Sequence, residues 1–278
     1  MKKVIFVADI FSDAYSGGAE NNDSVLIKYL LKNDFDVEKI KSYELTSQKI
    51  KQNNVFLISN FISLTDENKT LLKDKKYIIY EHDHKYVTTR DPSKFPNFTI
   101  PPEKIINLGF YENAHSVVVL SEICKHIMIQ NLNLKNVYNI GCSLWSDQRL
   151  DFIKRLSSKE KNNKFVVLNS NNPIKNTKLA LDYCNKNSIP YDLLNSCNEK
   201  SFLEKISEYK GLVFFPGVLE TFSRVSAEAK MMNCKLLTKP SLLGFASEDN
   251  FELSGQELIE SIRERKNKAL GLFRELLC

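Results

Sequence analysis

Apolar residues in this chain gather into short uninterrupted runs separated by stretches with helical spacing. The first run, Lys3-Val-Ile-Phe-Val-Ala-Asp9, leads into a loop carrying Gly17 and Gly18, and then to apolar positions at Val25, Leu26, Tyr29 and Leu30. That order predicts a strand, a glycine loop and a helix. Further runs at Val55-Phe-Leu-Ile58, Tyr77-Ile-Ile-Tyr80 and Ser116-Val-Val-Val-Leu120 alternate with helical or loop segments, and a strand-like piece over residues 136–140 ends at Gly141. Residues 146–163 are polar and lack a β pattern, which places a domain boundary there. The rhythm restarts with strands at Phe165-Val-Val-Leu168, Tyr191-Asp-Leu-Leu194, Leu212-Val-Phe-Phe215 and Leu236-Leu237. Helices are predicted near residues 177–186, 199–209 and 223–232, and an amphipathic helix from about residue 256 to the end. Continuous apolar strands between helices indicate parallel sheets covered on both faces. The expected class is therefore α/β, with two doubly wound domains over residues 1–145 and 146–278. The last helix is free to pack back on the first domain.

Composition narrows the function classes. With 278 residues, 42% of them hydrophobic and 26% charged, the chain can bury a real core and is not of disordered type. No apolar run approaches the roughly 20 residues a bilayer-spanning helix needs. Met1-Lys2-Lys3 followed by Val-Ile-Phe-Val-Ala resembles the start of a signal peptide, but Asp9 and Asp13 interrupt it, and a buried first strand explains it better. Six widely spaced cysteines, without Cys-x-x-Cys, point to a reducing compartment and no structural metal. A cytoplasmic location follows, with peripheral attachment to the inner face of the membrane as an alternative. The net charge of +5, from 39 basic and 34 acidic residues, does not imply nucleic-acid binding. The lysine-rich stretches over residues 39–51 and 69–76 read as solvated faces, with weak membrane-surface attraction the other reading.

In doubly wound sheets ligands bind beyond the carboxyl ends of the strands, so the residues just after each apolar run are the ones to search. The most informative segment is Phe215-Pro-Gly-Val-Leu-Glu220-Thr-Phe-Ser-Arg-Val-Ser-Ala-Glu228-Ala, which puts one carboxylate in a loop after a strand and a second, eight residues on, in the following helix. It resembles the Glu-x7-Glu signature of the group 1 (family 4) retaining glycosyltransferases. The shared features include the proline four residues before the first Glu, Phe222, and Ala229. The resemblance implies a compact GT-B fold of two Rossmann-like domains facing a cleft. It also implies that Glu220 lies by the donor sugar and that Glu228 hydrogen-bonds the ribose hydroxyls.

Other segments resemble the same family in the same order. Gly17-Gly18-Ala19-Glu20 matches its glycine-rich loop, where backbone N–H groups and a helix N-terminus can approach a diphosphate. Tyr80-Glu81-His82-Asp83 matches the pair whose histidine faces the donor sugar, so His82 is the second catalytic candidate. Leu168-Asn-Ser-Asn-Asn172-Pro-Ile-Lys175 matches the segment whose arginine and lysine hold the diphosphate; Lys175 is the lysine, while Ser170, Asn171 and Asn172 stand near the missing arginine. Ser223 replaces a usual glycine. Arg224, where the family has an uncharged residue, is a candidate for the missing cation or else a solvent-facing helix residue. Asn233 stands where a glycine closes the helix, and Asn is the next best left-handed cap.

The implied activity is transfer of a hexose-type sugar from a nucleoside-diphosphate sugar, of UDP or GDP type, to a hydroxyl of a glycan, lipid or other acceptor, with retention of configuration. No cofactor and no metal are expected, since no Asp-x-Asp follows a strand end. The alternatives are a non-catalytic nucleotide-sugar or glycan-binding module, a phosphorylase or epimerase on the same fold, and a DNA-modifying glucosyltransferase.

Overall fold

The computed structural model describes every residue except Ser16. The chain forms two compact units, one of Met1–Trp145 with Arg265–Cys278 and one of Ser146–Glu264.

The first unit runs β1 (Lys2–Ala8), α1 (Gly18–Lys32), β2 (Phe35–Lys41), α2 (Ser47–Gln52), β3 (Val55–Ile58), α3 (Asp66–Leu72), β4 (Lys76–Tyr80), α4 (Leu108–Glu112), β5 (Ser116–Val119), α5 (Glu122–Leu132) and β6 (Val137–Asn139). All neighbouring strands are parallel, in the order β2-β1-β3-β4-β5-β6. The uninterrupted apolar runs become the central strands. Val4 to Ala8, Phe56 to Ile58, Tyr77 to Tyr80 and Val117 to Val119 are all buried, as two covered faces demand.

The strand β2 was not announced by such a run. Its sequence, Phe-Asp-Val-Glu-Lys-Ile-Lys, alternates apolar and charged residues because it pairs only with β1 and forms a sheet edge, where charged side chains also discourage pairing with another chain. Two of the lysines in the stretch read as a solvated face, Lys39 and Lys41, therefore belong to this edge strand.

The second unit runs α6 (Asp147–Leu156), β7 (Phe165–Leu168), α7 (Thr177–Lys186), β8 (Tyr191–Leu194), α8 (Glu199–Ile206), β9 (Gly211–Phe214), α9 (Arg224–Met231) and β10 (Lys235–Thr238). The final helix, α10 (Gly255–Leu277), starts in this unit and ends in the first. The second sheet is also parallel, in the order β10-β9-β7-β8. Its core joins Phe165, Val167 and Val213 from the strands to Ala180 and Cys184 from α7.

Residues 146–163, expected only as a polar boundary, contain α6. Ser146 caps it by accepting from the Arg149 N–H at 3.2 Å, and Leu150, Ile153 and Leu156 supply a buried stripe at spacing three. Asn233, just beyond α9, has φ 60° and closes that helix in the left-handed conformation expected of it. Among the described residues no helix is long and apolar enough to cross a membrane.

Both sheets wind in the same way. In each, the second strand lies on one side of the first and the third on the other, so the winding reverses between β1 and β3 and again between β7 and β9. At such a switch point the flanking loops diverge and leave a crevice at the carboxyl ends of the strands.

The end of the first unit is tied to α1 by Asn22, a buried side chain whose Oδ1 accepts from the Ser143 hydroxyl at 2.7 Å and the Leu144 N–H at 2.8 Å. Asn22→Ala strands both donors in the interior. Urea unfolding is expected to show a loss of about 1–3 kcal/mol, the cost of buried polar groups left without partners.

Candidate functional site

In the second unit the loops after β7 and β9 meet at the switch point. After β7, the Asn172 side chain accepts from the Ile174 N–H at 3.0 Å and folds Pro173–Lys175 into a single 3-10 turn. The Thr177 hydroxyl donates to the Leu168 carbonyl at 2.7 Å, which holds the start of α7 against the end of the strand. After β9, the Gly217 N–H donates to the Ile174 carbonyl at 2.9 Å. A Cβ on Gly217 would stand 2.9 Å from the Pro173 carbonyl oxygen, closer than real Cβ atoms approach backbone, so only glycine fits this contact without displacement.

Glu220 is clamped through its backbone. Its N–H donates to the Leu242 carbonyl at 3.0 Å and its carbonyl accepts from the Gly244 N–H at 2.8 Å, forming a one-residue parallel bridge with Leu243. Two residues on, the Phe222 carbonyl accepts from the Phe245 N–H at 2.8 Å, and the two rings pack 5.2 Å apart. With both loops held, the Lys175 ammonium lies 2.9 Å from Glu220 Oε1. The same ammonium stands 5.4 Å from the centroid of Phe214 at the end of β9. Two candidates 45 residues apart in sequence are thus brought into direct contact.

Ser223 precedes α9 with φ 77° and ψ 78°, a left-handed backbone that favours glycine. Its hydroxyl is 2.9 Å from that of Ser226 and does not cap the N–H groups of α9. Glu228 lies inside α9 with its side chain only 4% exposed. Arg149 from α6 donates to its Oε1 twice, from Nε at 3.1 Å and from Nη2 at 2.8 Å, and also pairs with Glu199 at the start of α8. Arg224 is not directed into solvent. Its side chain is 13% exposed, with Nη2 3.9 Å from the same Glu228 oxygen one turn along the helix.

In the first unit, Gly17 is the N-cap of α1 and Gly18 its first residue, directly after the loop that leaves β1. The loops leaving β1, β2 and β3 are pinned to one carboxylate. Asp9 accepts from the N–H groups of Ile62 at 2.8 Å and Ser63 at 3.0 Å, and from the Ser42 hydroxyl. The candidate His82 sits two residues past β4 with its side chain 4% exposed, Nε2 3.4 Å from Asp23 Oδ1 on α1 and its ring centroid 4.1 Å from that of Tyr80. The buried Asp23 also accepts from the Ser59 hydroxyl at 2.9 Å.

The loop that carries His82 is built around Glu81. Burial raises the affinity of its carboxyl for a proton, but the Lys85 ammonium at 2.8 Å and the Tyr111 hydroxyl outweigh that and hold it below the usual carboxylate range. The N–H groups of Asp83 and Lys85 also donate to it, at 2.8 and 3.4 Å. Glu20, one turn before Asp23, is shifted the other way. Burial pushes its carboxyl above the usual range and the Asp23 charge adds to this, against opposing contributions that include His82.

Sequence reasoning assigned no role to Arg149, Asp23, Asp9 or Glu20. The stripe Leu150, Ile153, Leu156 could have revealed α6, but no local signal links Arg149 to Glu228, 79 residues away. Among the described residues no group of three or more His, Cys, Asp and Glu side chains is placed to hold a metal ion.

No family model matches the chain, and no curated protein matches it. Solved structures do. The catalytic domain of starch synthase IV from Arabidopsis thaliana, bound to ADP and acarbose, aligns over 99% of this chain and 98% of its own, with a TM-score of 0.59 at 8% identity. An alpha-glucosyltransferase in complex with UDP and a 13-mer DNA aligns over 97% and 92%, with a TM-score of 0.52 at 12% identity. The Anabaena protein HepE, in complex with UDP and glucose, aligns over 100% and 92%, with a TM-score of 0.50 at 12% identity. The fold is that of the GT-B glycosyltransferases. At these identities the likeness concerns the fold, and function has to be argued from the site.

The raised carboxyl of Glu20 gives a signed pH dependence. A group that holds its proton more tightly when folded contributes stability that is complete below the unfolded carboxylate value, about 4.3, and is lost as pH rises through the folded one. Glu20→Gln removes that loss. Thermal unfolding should show the variant gaining on the wild type as pH is raised from 4 to 8, with the smallest difference at pH 4.

Proposed function

We propose that this protein is a retaining glycosyltransferase that moves a hexose-type sugar from a nucleoside-diphosphate sugar to a hydroxyl of a glycan or lipid, without a metal ion. The observation that carries the reading is the Lys175–Glu220 pair, held by two interlocked loops at the switch point of the second sheet. Departure of a nucleoside diphosphate builds negative charge on the phosphates, and fixed cations and N–H dipoles lower the barrier most when they need no rearrangement. Lys175 is such a cation. An ammonium has three N–H donors and Glu220 engages one of them.

The remaining candidates take parts consistent with this. Glu220 orients the sugar hydroxyls and balances cationic charge at the anomeric carbon, while Glu228 accepts from the ribose hydroxyls. The left-handed turn at Ser223 aims the N-terminus of α9 at the phosphates, and Asn172 shapes the loop beside them. Arg224 lies close enough to Glu228 to serve the same end of the donor. In the first unit Gly17 and Gly18 open α1, and His82 lies 3.4 Å from Asp23, so that unit carries the remaining candidates.

The reading is tested by thermal unfolding with UDP, GDP, ADP and CMP, with and without EDTA. One nucleoside diphosphate should stabilise the wild type, by about 2.7 kcal/mol at 100 times its dissociation constant, with no change on adding EDTA. Glu228→Ala should abolish the shift, and Lys175→Ala should weaken binding by about 1–3 kcal/mol, the scale of a hydrogen bond to a charged group. Sugar transfer from the matching donor is then followed with glycan, lipid and duplex DNA acceptors in parallel. Absence of stabilisation by every nucleotide at millimolar concentration would overturn the proposal.

A further inference from the structure

The N-terminal turn of α1 is closed by one of its own side chains. Glu20, the third residue of the helix, folds its carboxyl back over Gly17. Hydrogen bonding from the N–H groups of Gly17 and Glu20 opposes the upward shift that burial gives this carboxyl. A Cβ on Gly17 would push the carboxyl away, so glycine here serves an internal contact. A phosphate approaching the turn meets a carboxyl already seated where its own oxygens would have to lie.

One turn along the helix, Asp23 is 1% exposed. Its Oδ1 accepts from the Ser59 hydroxyl at 2.9 Å and lies 3.4 Å from His82 Nε2, so the residues that follow β3 and β4 converge on it. Among the described residues nothing donates to Oδ2. A buried oxygen without a donor is costly, and it calls for a partner that brings an O–H or N–H. The burial that pushes up the Glu20 carboxyl beside it also penalises an ammonium, which makes a neutral hydroxyl the fitting donor. A phosphate offers only acceptors to an acceptor.

From these contacts we infer that the first turn of α1 is a subsite for a sugar hydroxyl, with Asp23 Oδ2 as its acceptor, and not a cradle for the donor diphosphate. The inference rests on the proposed function for naming the carrier of that hydroxyl a sugar, and extends that reading to Asp23. It reverses the part expected of Gly17 and Gly18, and leaves the diphosphate to Lys175 and its neighbours in the second unit.

The test uses whichever of UDP-glucose, ADP-glucose and GDP-glucose matches the stabilising nucleotide, with the 2-, 3-, 4- and 6-deoxy forms of its sugar. Methyl glucoside and its deoxy forms, added with the nucleoside diphosphate, probe the acceptor. Binding is measured by calorimetry in wild type and Asp23→Ala. Wild type should bind at least one deoxy probe about 5- to 150-fold more weakly than its parent, the scale of a buried acceptor left without a donor. In Asp23→Ala the same deletion should cost less than about threefold, because its partner is gone. The series in which this occurs assigns the hydroxyl to the donor sugar or to the acceptor.

The nucleoside diphosphate alone should bind Asp23→Ala within about threefold of wild type. Binding about tenfold tighter would put the phosphates against this turn and overturn the inference. A penalty that persists in the variant, or none in either series, overturns it as well, since buried water then serves Oδ2. Failure of the wild type to bind any nucleoside diphosphate counts against the proposed function instead. Should Asp23→Ala not fold, Asp23→Leu combined with Ser59→Ala removes both members of the buried hydrogen bond, keeps the volume and gives the same readout.

Discussion

The constraint on which this molecule depends is the right-handed crossover. Every strand in both sheets is parallel to its neighbours, so each connection must cross a face of the sheet, and in nearly all proteins it does so with one hand. Covering both faces with that single hand requires the chain to reverse its direction of winding. The reversal falls between β1 and β3 in one unit and between β7 and β9 in the other. The carboxyl ends of those strands are where helices cannot fill the space, and there the polar groups collect: Asp9, Glu20 and Asp23 in the first unit, Lys175 and Glu220 in the second. The polar groups are concentrated where the topology leaves a gap.

Charge in both units is balanced by pairs within the protein. Lys175 faces Glu220, Arg149 faces Glu228 and Glu199, and Lys85 faces Glu81. The pairs differ in what they do. Lys85 and Glu81 are each 2% exposed, and a pair so deep contributes little net stability but would be costly to break from one side, by about 3–5 kcal/mol. It works as a brace for the turn that presents His82. Lys175 and Glu220 are a third and a fifth exposed, so their attraction is screened and is worth at most about 1 kcal/mol. A pair that weak can exchange partners at little cost, while the interlocked backbone of residues 172–176 and 217–222 is held by its own hydrogen bonds.

The sequence is legible wherever burial on two faces forces an uninterrupted apolar run. Val4 to Ala8, Phe56 to Ile58, Val117 to Val119 and Phe165 to Val167 stand out for that reason, and they predict a parallel α/β architecture. It is poorly legible where one side of an element meets water. Strand β2 hides behind alternating charges because an edge strand must look like surface, and α6 hides in a polar stretch because only Leu150, Ile153 and Leu156 turn inward. The candidate site divides in the same way. Glu220, Glu228, Lys175 and Ser223 could be singled out as candidates because short motifs that resemble a known family carry them. Arg149, Asp23 and Asp9 could not, since each acts through a partner far away in sequence.

That division bears on the loop after β7. Where Ser170, Asn171 and Asn172 stand, the local sequence supplies hydrogen-bonding groups but no charge. The fold supplies two guanidinium groups to the same unit from elsewhere, Arg149 from α6 and Arg224 from the first turn of α9, both drawn toward Glu228. A cation brought in by packing is fixed by its helix and by the carboxylate it meets, whereas a loop arginine must be ordered when ligand binds, at an entropic cost. Placing guanidinium charge on helices thus trades reach for rigidity. In this chain the loops contribute backbone shape, with Gly217, Asn172 and Ser223 setting the turns, while the two guanidinium charges are anchored in helices.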